Sequence, residues 1–320
     1  QSRSSAASDV YKRQILAGGV ACAGFAILNK FSLADSLVVL AAASVGQFVR
    51  GRLNRRWLNQ FGVAALASAA ACLVYLMLAD LLTNTGLHTI HGPGYVASLL
   101  FLVPGFPMIT SILDMVRMDF TAGLSRAAYS FGLILAATMS AWMFSAATGL
   151  QPLPAQTVFP YPWAWLAYAV ATACGVAGFA VIFNSPPRTV AWAAALGACG
   201  NLCRLALVGV NLPAQLAAGV GGVIIGFLAG PLSARTTLPR ITLTVPACVI
   251  MVPGASMYRT VYWLNGQDMT KALTFGVDAV LTVILIACGL AVARMCTDPA
   301  WARNLPVPSP HAFKFSKDDH

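Results

Sequence analysis

Charge is what this chain has least of. Only 9% of its residues are Asp, Glu, Lys or Arg, against about 25% in a soluble domain. With 58% hydrophobic residues and a mean hydropathy of +0.74, so little charge excludes a water-exposed globule. The short alternating segments of a membrane β-barrel, about ten residues each, are also missing. The apolar runs are instead continuous and rich in Ala, Leu, Gly and Val. No nucleophile–base pair, zinc spacing or phosphate loop is present, so no enzyme activity, cofactor or metal is expected. The net charge of +10 lacks any aromatic-basic surface motif, which argues against nucleic acid. Cys199 and Cys203 lie four apart with no His or carboxylate cluster beside them, and read as small apolar residues, not metal ligands.

What is there is an all-α pattern of long apolar spans. A crossing helix needs about 20 such residues. Ten spans are predicted: Ile15–Asn29, Leu33–Val49, Trp57–Leu82, Tyr95–Met115, Phe120–Leu150, Pro162–Asn184, Val190–Val210, Pro213–Ser233, Pro239–Asn265 and Ala272–Met295. Residues 1–14 are polar, stop abruptly at Ile15, and read as a non-native lead. Residues 297–320 read as a loose tail. Arg50, Arg52, Arg55, Arg56, Arg117, Arg188, Arg235, Arg240 and Arg294 fall on one side if spans alternate, with Lys30 and Lys271 on the other. The positive-inside bias makes the Arg side cytoplasmic, with both termini there. Trp57, Tyr95, Tyr161, Trp163, Tyr262, Trp263 and Trp301 read as an interfacial belt.

A short motif occurs twice. Val103-Pro104-Gly105 and Val252-Pro253-Gly254 each interrupt an apolar span, 149 positions apart, and Asp119 and Asp268 follow at the same offset. Upstream, Gly46-x-x-x-Arg50 matches Gly200-x-x-x-Arg204. The chain thus divides into two five-span modules, 15–150 and 151–296. Five is odd, so the second enters the membrane inverted relative to the first.

Proline removes a backbone donor and glycine loosens the chain, so both motifs predict broken helices. In lipid, freed backbone groups are tolerated only against protein or a watery cavity. The half-helix starts at Gly105–Thr110 and Gly254–Tyr258 offer N–H groups and partial positive charge to a carboxylate. Freed carbonyls suit an ammonium group. Pro104, Gly105, Thr110, Ser111, Pro253, Gly254, Ser256, Tyr258 and Arg259 are therefore the candidate binding residues. A charge near the bilayer centre costs at least about 2.5–3.5 kcal/mol, so it tends to be paired or functional. Arg126 and Asp278 sit at matching depth and are expected to pair across the halves or line the pathway. Asp119 and Asp268 either cap the next helix or carry a coupling proton. His88 and His91 border a Gly-Pro-Gly loop and read as solvated.

Leu102-Val103-Pro104-Gly105-Phe106-Pro107, with Asp114, Asp119, Gly123, Leu124 and Arg126, resembles the first membrane module of the threonine/serine exporter family. Phe183, Pro187, Arg188, Gly197, Gly200, Arg204, Val252-Pro253-Gly254 and Tyr258 resemble its second. The resemblance implies a ten-span exporter of threonine and serine in a bacterial inner membrane, driven by protons. Two-chain members associated with small dicarboxylates such as succinate leave the solute open, and a homo-oligomer is open too. Members usually carry a soluble segment before the first span. A reading of another class is a non-transporting membrane scaffold whose Pro-Gly sites only bend helices.

Overall fold

The computed structural model describes residues 2–86, 94–152, 160 and 163–303, with side chains from residue 10 onward. His88, His91 and Tyr161 lie outside the described residues, as does most of the loop expected to divide the modules.

Among the described residues the fold is helical throughout. The first half comprises α1 (Ser2–Leu28), α2 (Leu33–Asn54), α3 (Gln60–Asn84), α4 (Tyr95–Ser98, extended by a 3-10 turn at Leu100–Leu102), α5 (Gly105–Val116) and α6 (Phe120–Thr148). The second comprises α7 (Trp163–Ile182), α8 (Pro187–Gly209), α9 (Ala214–Thr236), α10 (Arg240–Val249), α11 (Gly254–Asn265), α12 (Met269–Thr297) and the short α13 (Pro299–Ala302). Starts follow local chemistry. Ser32 and Asp35 form a capping box before α2, and Asn59 caps α3 through the Phe61 N–H. Pro187 sits at the first position of α8, where its missing N–H costs nothing.

Seven helices are long and apolar enough to cross a membrane, or nine when each bent pair counts as one span. The expected ten is not reached on that criterion, because the apolar part of α1 begins only at Ile15. Residues 2–14 nevertheless continue α1 upstream, and Tyr11 donates to the Phe48 carbonyl oxygen at 2.6 Å. Tyr95 and Trp301, expected in the interfacial belt, are instead buried, while Trp57 and Trp163 are exposed. A partner for the Tyr95 hydroxyl and an Arg pair around Trp301 draw these rings inward.

The halves repeat each other in detail. Left-handed residues end helices in matching pairs: Lys30 with Asn184, Trp57 with Asn211, Met118 with Gln267. The first two pairs are 154 positions apart and the third is 149 apart. Contacts between halves are reciprocal, as a two-fold relation requires. A Cβ on Gly24 would lie 2.5 Å from the Ala171 carbonyl oxygen, and one on Gly178 would lie 2.5 Å from that of Ala17. Here α1 and α7 cross backbone to backbone, as small residues permit. On the opposite side, an apolar groove of about 310 Å³ is lined by symmetric pairs such as Met108/Met257, Ser111/Thr260 and Ile134/Val283.

Candidate functional site

Both Pro-Gly motifs break their helices. The chain bends by 53° between Tyr95–Leu102 and α5, and by 51° between α10 and α11. The tight turns satisfy one donor each: the Gly105 N–H reaches the Val103 oxygen at 2.8 Å and the Gly254 N–H that of Val252 at 2.9 Å. The breaks face each other across the centre of the bundle. A Cβ on Gly105 would lie 3.0 Å from Val249, and one on Gly254 would lie 2.6 Å from Leu100. Leu100 and Val249 are themselves 149 positions apart, so the two breaks hold each other symmetrically. Glycine favours this approach, since a Cβ at either position presses on a side chain of the opposite segment, which must then shift.

The crossing itself is apolar, packed by Leu100, Val103, Val249 and Val252. Polarity gathers on one side of it. A cavity of about 170 Å³ opens against the second break, between Asn29, the turn 250–253, the start of α11, and α8, α9 and α12. Its charged walls are Arg204, Arg259 and Asp278, with Ser256 and Thr282 beside them. Asp278 accepts from Gln215 Nε2 at 2.7 Å and from Ser256 Oγ at 2.8 Å. Arg204 donates through Nε to Asn201 Oδ1 at 3.0 Å, and Asn201 donates to Thr172 Oγ1 at 2.9 Å. Among the described residues nothing accepts from the Arg204 Nη groups, which lie in the electrostatic field of Asp278. Arg259 is tethered differently, with Nε on the Pro152 carbonyl oxygen at 2.9 Å and its guanidinium over Phe275.

The first half lacks this chemistry. At the 154 offset Arg50 corresponds to Arg204 and Phe61 to Gln215; at the 149 offset Pro107 corresponds to Ser256 and Tyr129 to Asp278. The arrangement recurs with different atoms. Arg50 Nη1 donates to the Phe101 carbonyl oxygen at 3.2 Å and lies in the field of Tyr129. Phe61 packs against Tyr129 with ring centroids 6.3 Å apart and the rings tilted by 45°, where Gln215 hydrogen-bonds Asp278 in the second half. The Phe101 ring presses on Gly46, whereas its counterpart is the smaller Ile250. An arginine is thus common to both halves, while the acid, amide and hydroxyl belong to one.

The expected site residues separate. Pro253, Gly254, Ser256, Arg259 and Asp278 meet at the cavity. Pro104 and Gly105 form the mirror break, away from it. Thr110 and Ser111 back-bond to their own helix, Thr110 Oγ1 to the Phe106 oxygen at 3.0 Å and Ser111 Oγ to that of Met108 at 2.7 Å. Tyr258 turns toward the first half, its hydroxyl 2.9 Å from that of Tyr95. Asp119 caps α6 through the Ala122 N–H, and Asp268 caps α12 through the Lys271 N–H. Hydrogen bonds from the Lys271 ammonium and backbone hold the Asp268 carboxyl below the usual carboxylate range.

One expected pairing is corrected. Arg126 does not meet Asp278; it forms its ion pair with Asp114 on the adjacent α5. The reason is positional: the repeat counterpart of Arg126 is Phe275, and Asp278 lies almost a turn further on, facing α9 and α11. Two groups were not singled out as site residues from the sequence. Arg204 lies toward one end of its span, and Gln215 belongs to no motif. The Gly-x-x-x-Arg match between the halves was the available signal.

Comparison with known proteins follows the same division. A family model described as "Threonine/Serine exporter, ThrE" matches residues 168–296, and a second threonine/serine exporter model matches residues 10–148. The chain belongs to the threonine/serine exporter family. It is therefore a multi-pass membrane protein of an exporter family.

Curated relatives of this family member are partial matches. An uncharacterized protein of Haemophilus influenzae is 37% identical over 82 residues, 26% of this chain and 28% of that protein. The protein named "Probable succinate transporter subunit YjjP" is 31% identical in Escherichia coli over 133 residues, 42% of this chain and 51% of that one. Its Klebsiella aerogenes namesake is 32% identical over 138 residues, 43% of this chain and 52% of that one. The chain thus spans about half or less of the length of these relatives. No solved structure matches it.

Proposed function

We propose that the chain is a secondary exporter of small hydrophilic amino acids, threonine and serine foremost, working by alternating access and coupled to protons. The observation that carries this reading is the polar cavity beside the second break, where Arg204, Arg259 and Asp278 surround about 170 Å³. Drug-sized sites begin at roughly 300 Å³, so the cavity suits a small solute. Charges of both signs suit a zwitterion, and the N–H groups at the start of α11 add positive potential. The reciprocal breaks supply a hinge, because an apolar crossing held by two glycines can slide without exposing polar groups to lipid.

In this reading the axis relating the halves lies in the membrane plane, and the Arg-rich loops face the cytoplasm of an inner membrane. The cavity, lined by Asn29 and the outer parts of α8, α11 and α12, then belongs to the opposite side. A site without catalytic groups acts on its solute by moving it, not by changing it. A second reading is a small dicarboxylate, in line with the "succinate transporter subunit" name of two relatives, with Arg204 in the cavity wall as its cationic partner.

The test is efflux from proteoliposomes loaded with labelled threonine, serine or succinate under an imposed pH gradient. Gradient-dependent release of at least one solute above protein-free vesicles is expected. Release at the protein-free level for all three would leave only a scaffold.

A further inference from the structure

The two halves present the same arginine in two situations. Arg50 is occupied, its guanidinium bonded to the carbonyl of Phe101 on the interrupted segment. Arg204 is held at one edge only: the Asn201–Thr172 relay fixes its Nε edge, and no described residue accepts from its Nη groups. A guanidinium fixed at one edge presents a planar two-donor fork at the other, the geometry that carboxylates match. Across the cavity, Asp278 is held by Gln215 and Ser256, and the first half has no acid in that place.

Resting on the export reading, we propose that Arg204 is the carboxylate-binding residue of the cavity and Asp278 its ammonium-binding residue, so that the pair selects α-amino acids over dicarboxylates. Asp278 is faced by Gln215 from α9, by Ser256 and Arg259 from α11, by Arg204 from α8, and by Thr282 one turn along its own helix. Its carboxylate therefore has cations on one side and neutral donors on the others. Arg259 has a different task, since its Nε already holds the Pro152 carbonyl: it tethers α11 to the chain following α6. Arg50 closes the first half and binds no solute.

Two measurements on the full chain test this: counterflow of labelled serine and labelled succinate in proteoliposomes, and stabilisation of the detergent-solubilised chain against heat by each solute. Removing one partner of a desolvated charge pair is expensive. Arg204→Gln is expected to weaken both solutes by about thirtyfold or more. Asp278→Asn is expected to weaken serine by a similar factor and to leave succinate equal or tighter. Arg204→Lys keeps the charge but not the fork, and serves if the glutamine variant fails to fold; a tenfold or greater loss is expected of it. Wild-type vesicles that pass neither solute, with no heat stabilisation by either, sink the export reading and this proposal with it. Wild-type flux that neither Arg204 variant changes by more than twofold sinks the recognition proposal alone. So does an Asp278→Asn variant that loses serine and succinate equally.

Discussion

Asp278 and Asp268 carry the same functional group on one helix and have opposite prospects. Asp268 sits at the solvent-facing start of α12, capped onto Lys271, and its carboxyl is held low. A depressed carboxylate contributes its cap above the ordinary carboxylate range and loses it only as pH falls through the lowered value. Asp268→Asn should therefore leave the pH profile of flux between pH 5 and 8 unchanged, and a shifted profile would show that Asp268 takes part in coupling. Asp119 makes the equivalent cap on α6. Its replacement by Ala should cost about 1 kcal/mol of stability, read by thermal unfolding, with solute affinity retained. The sequence singled out all three acids. It could not rank them, because a cap and a cavity acid differ only in what lies opposite.

Among the elements, the broken pairs are the parts whose shape follows most directly from composition. Pro-Gly inside an apolar run has few alternatives to a break, and the bends of 53° and 51° follow. That the breaks would pack on each other through Val249 and Leu100 was not visible, because those residues are ordinary span-fillers. Gly254→Leu drives a side chain into Leu100, and Gly105→Leu drives one into Val249. Overpacking of this kind costs about 1–3 kcal/mol, and each variant should lose flux more than it loses fold. The readout is flux per folded molecule, with folded material counted by size-exclusion chromatography. Loss of both in proportion would favour plain helix bending. The Tyr95–Tyr258 hydroxyl contact joins α4 to α11 across the halves. Tyr95→Phe should cost about 1 kcal/mol and change the flux rate without changing solute preference, as measured by serine–succinate competition.

For the whole molecule, the halves agree in backbone and differ in chemistry. Loop geometry, helix order and break geometry recur at offsets of 149 and 154, yet Arg204, Ser256 and Asp278 line a polar cavity at the second break, where the first half has Arg50, Pro107 and Tyr129. In the proposed topology, Ser256→Cys reacts with an impermeant thiol reagent from the side opposite Arg56→Cys, and serine slows the first reaction only. This holds in a background whose exposed native cysteines are replaced. Labelling of both from one side would overturn the orientation.

The sequence by itself determined the helical class, the interrupted spans and the family. Each rests on local pattern: apolar run length, proline and glycine chemistry, and motif spacing. Only the tertiary structure decided which charges meet. It paired Arg126 with Asp114, set Tyr258 against Tyr95, and brought Arg204 and Asp278 from two helices to one cavity, with Gln215 from a third on Asp278. Helix rotation about its own axis selects such partners, and rotation is set by close packing between neighbours, which no single segment encodes.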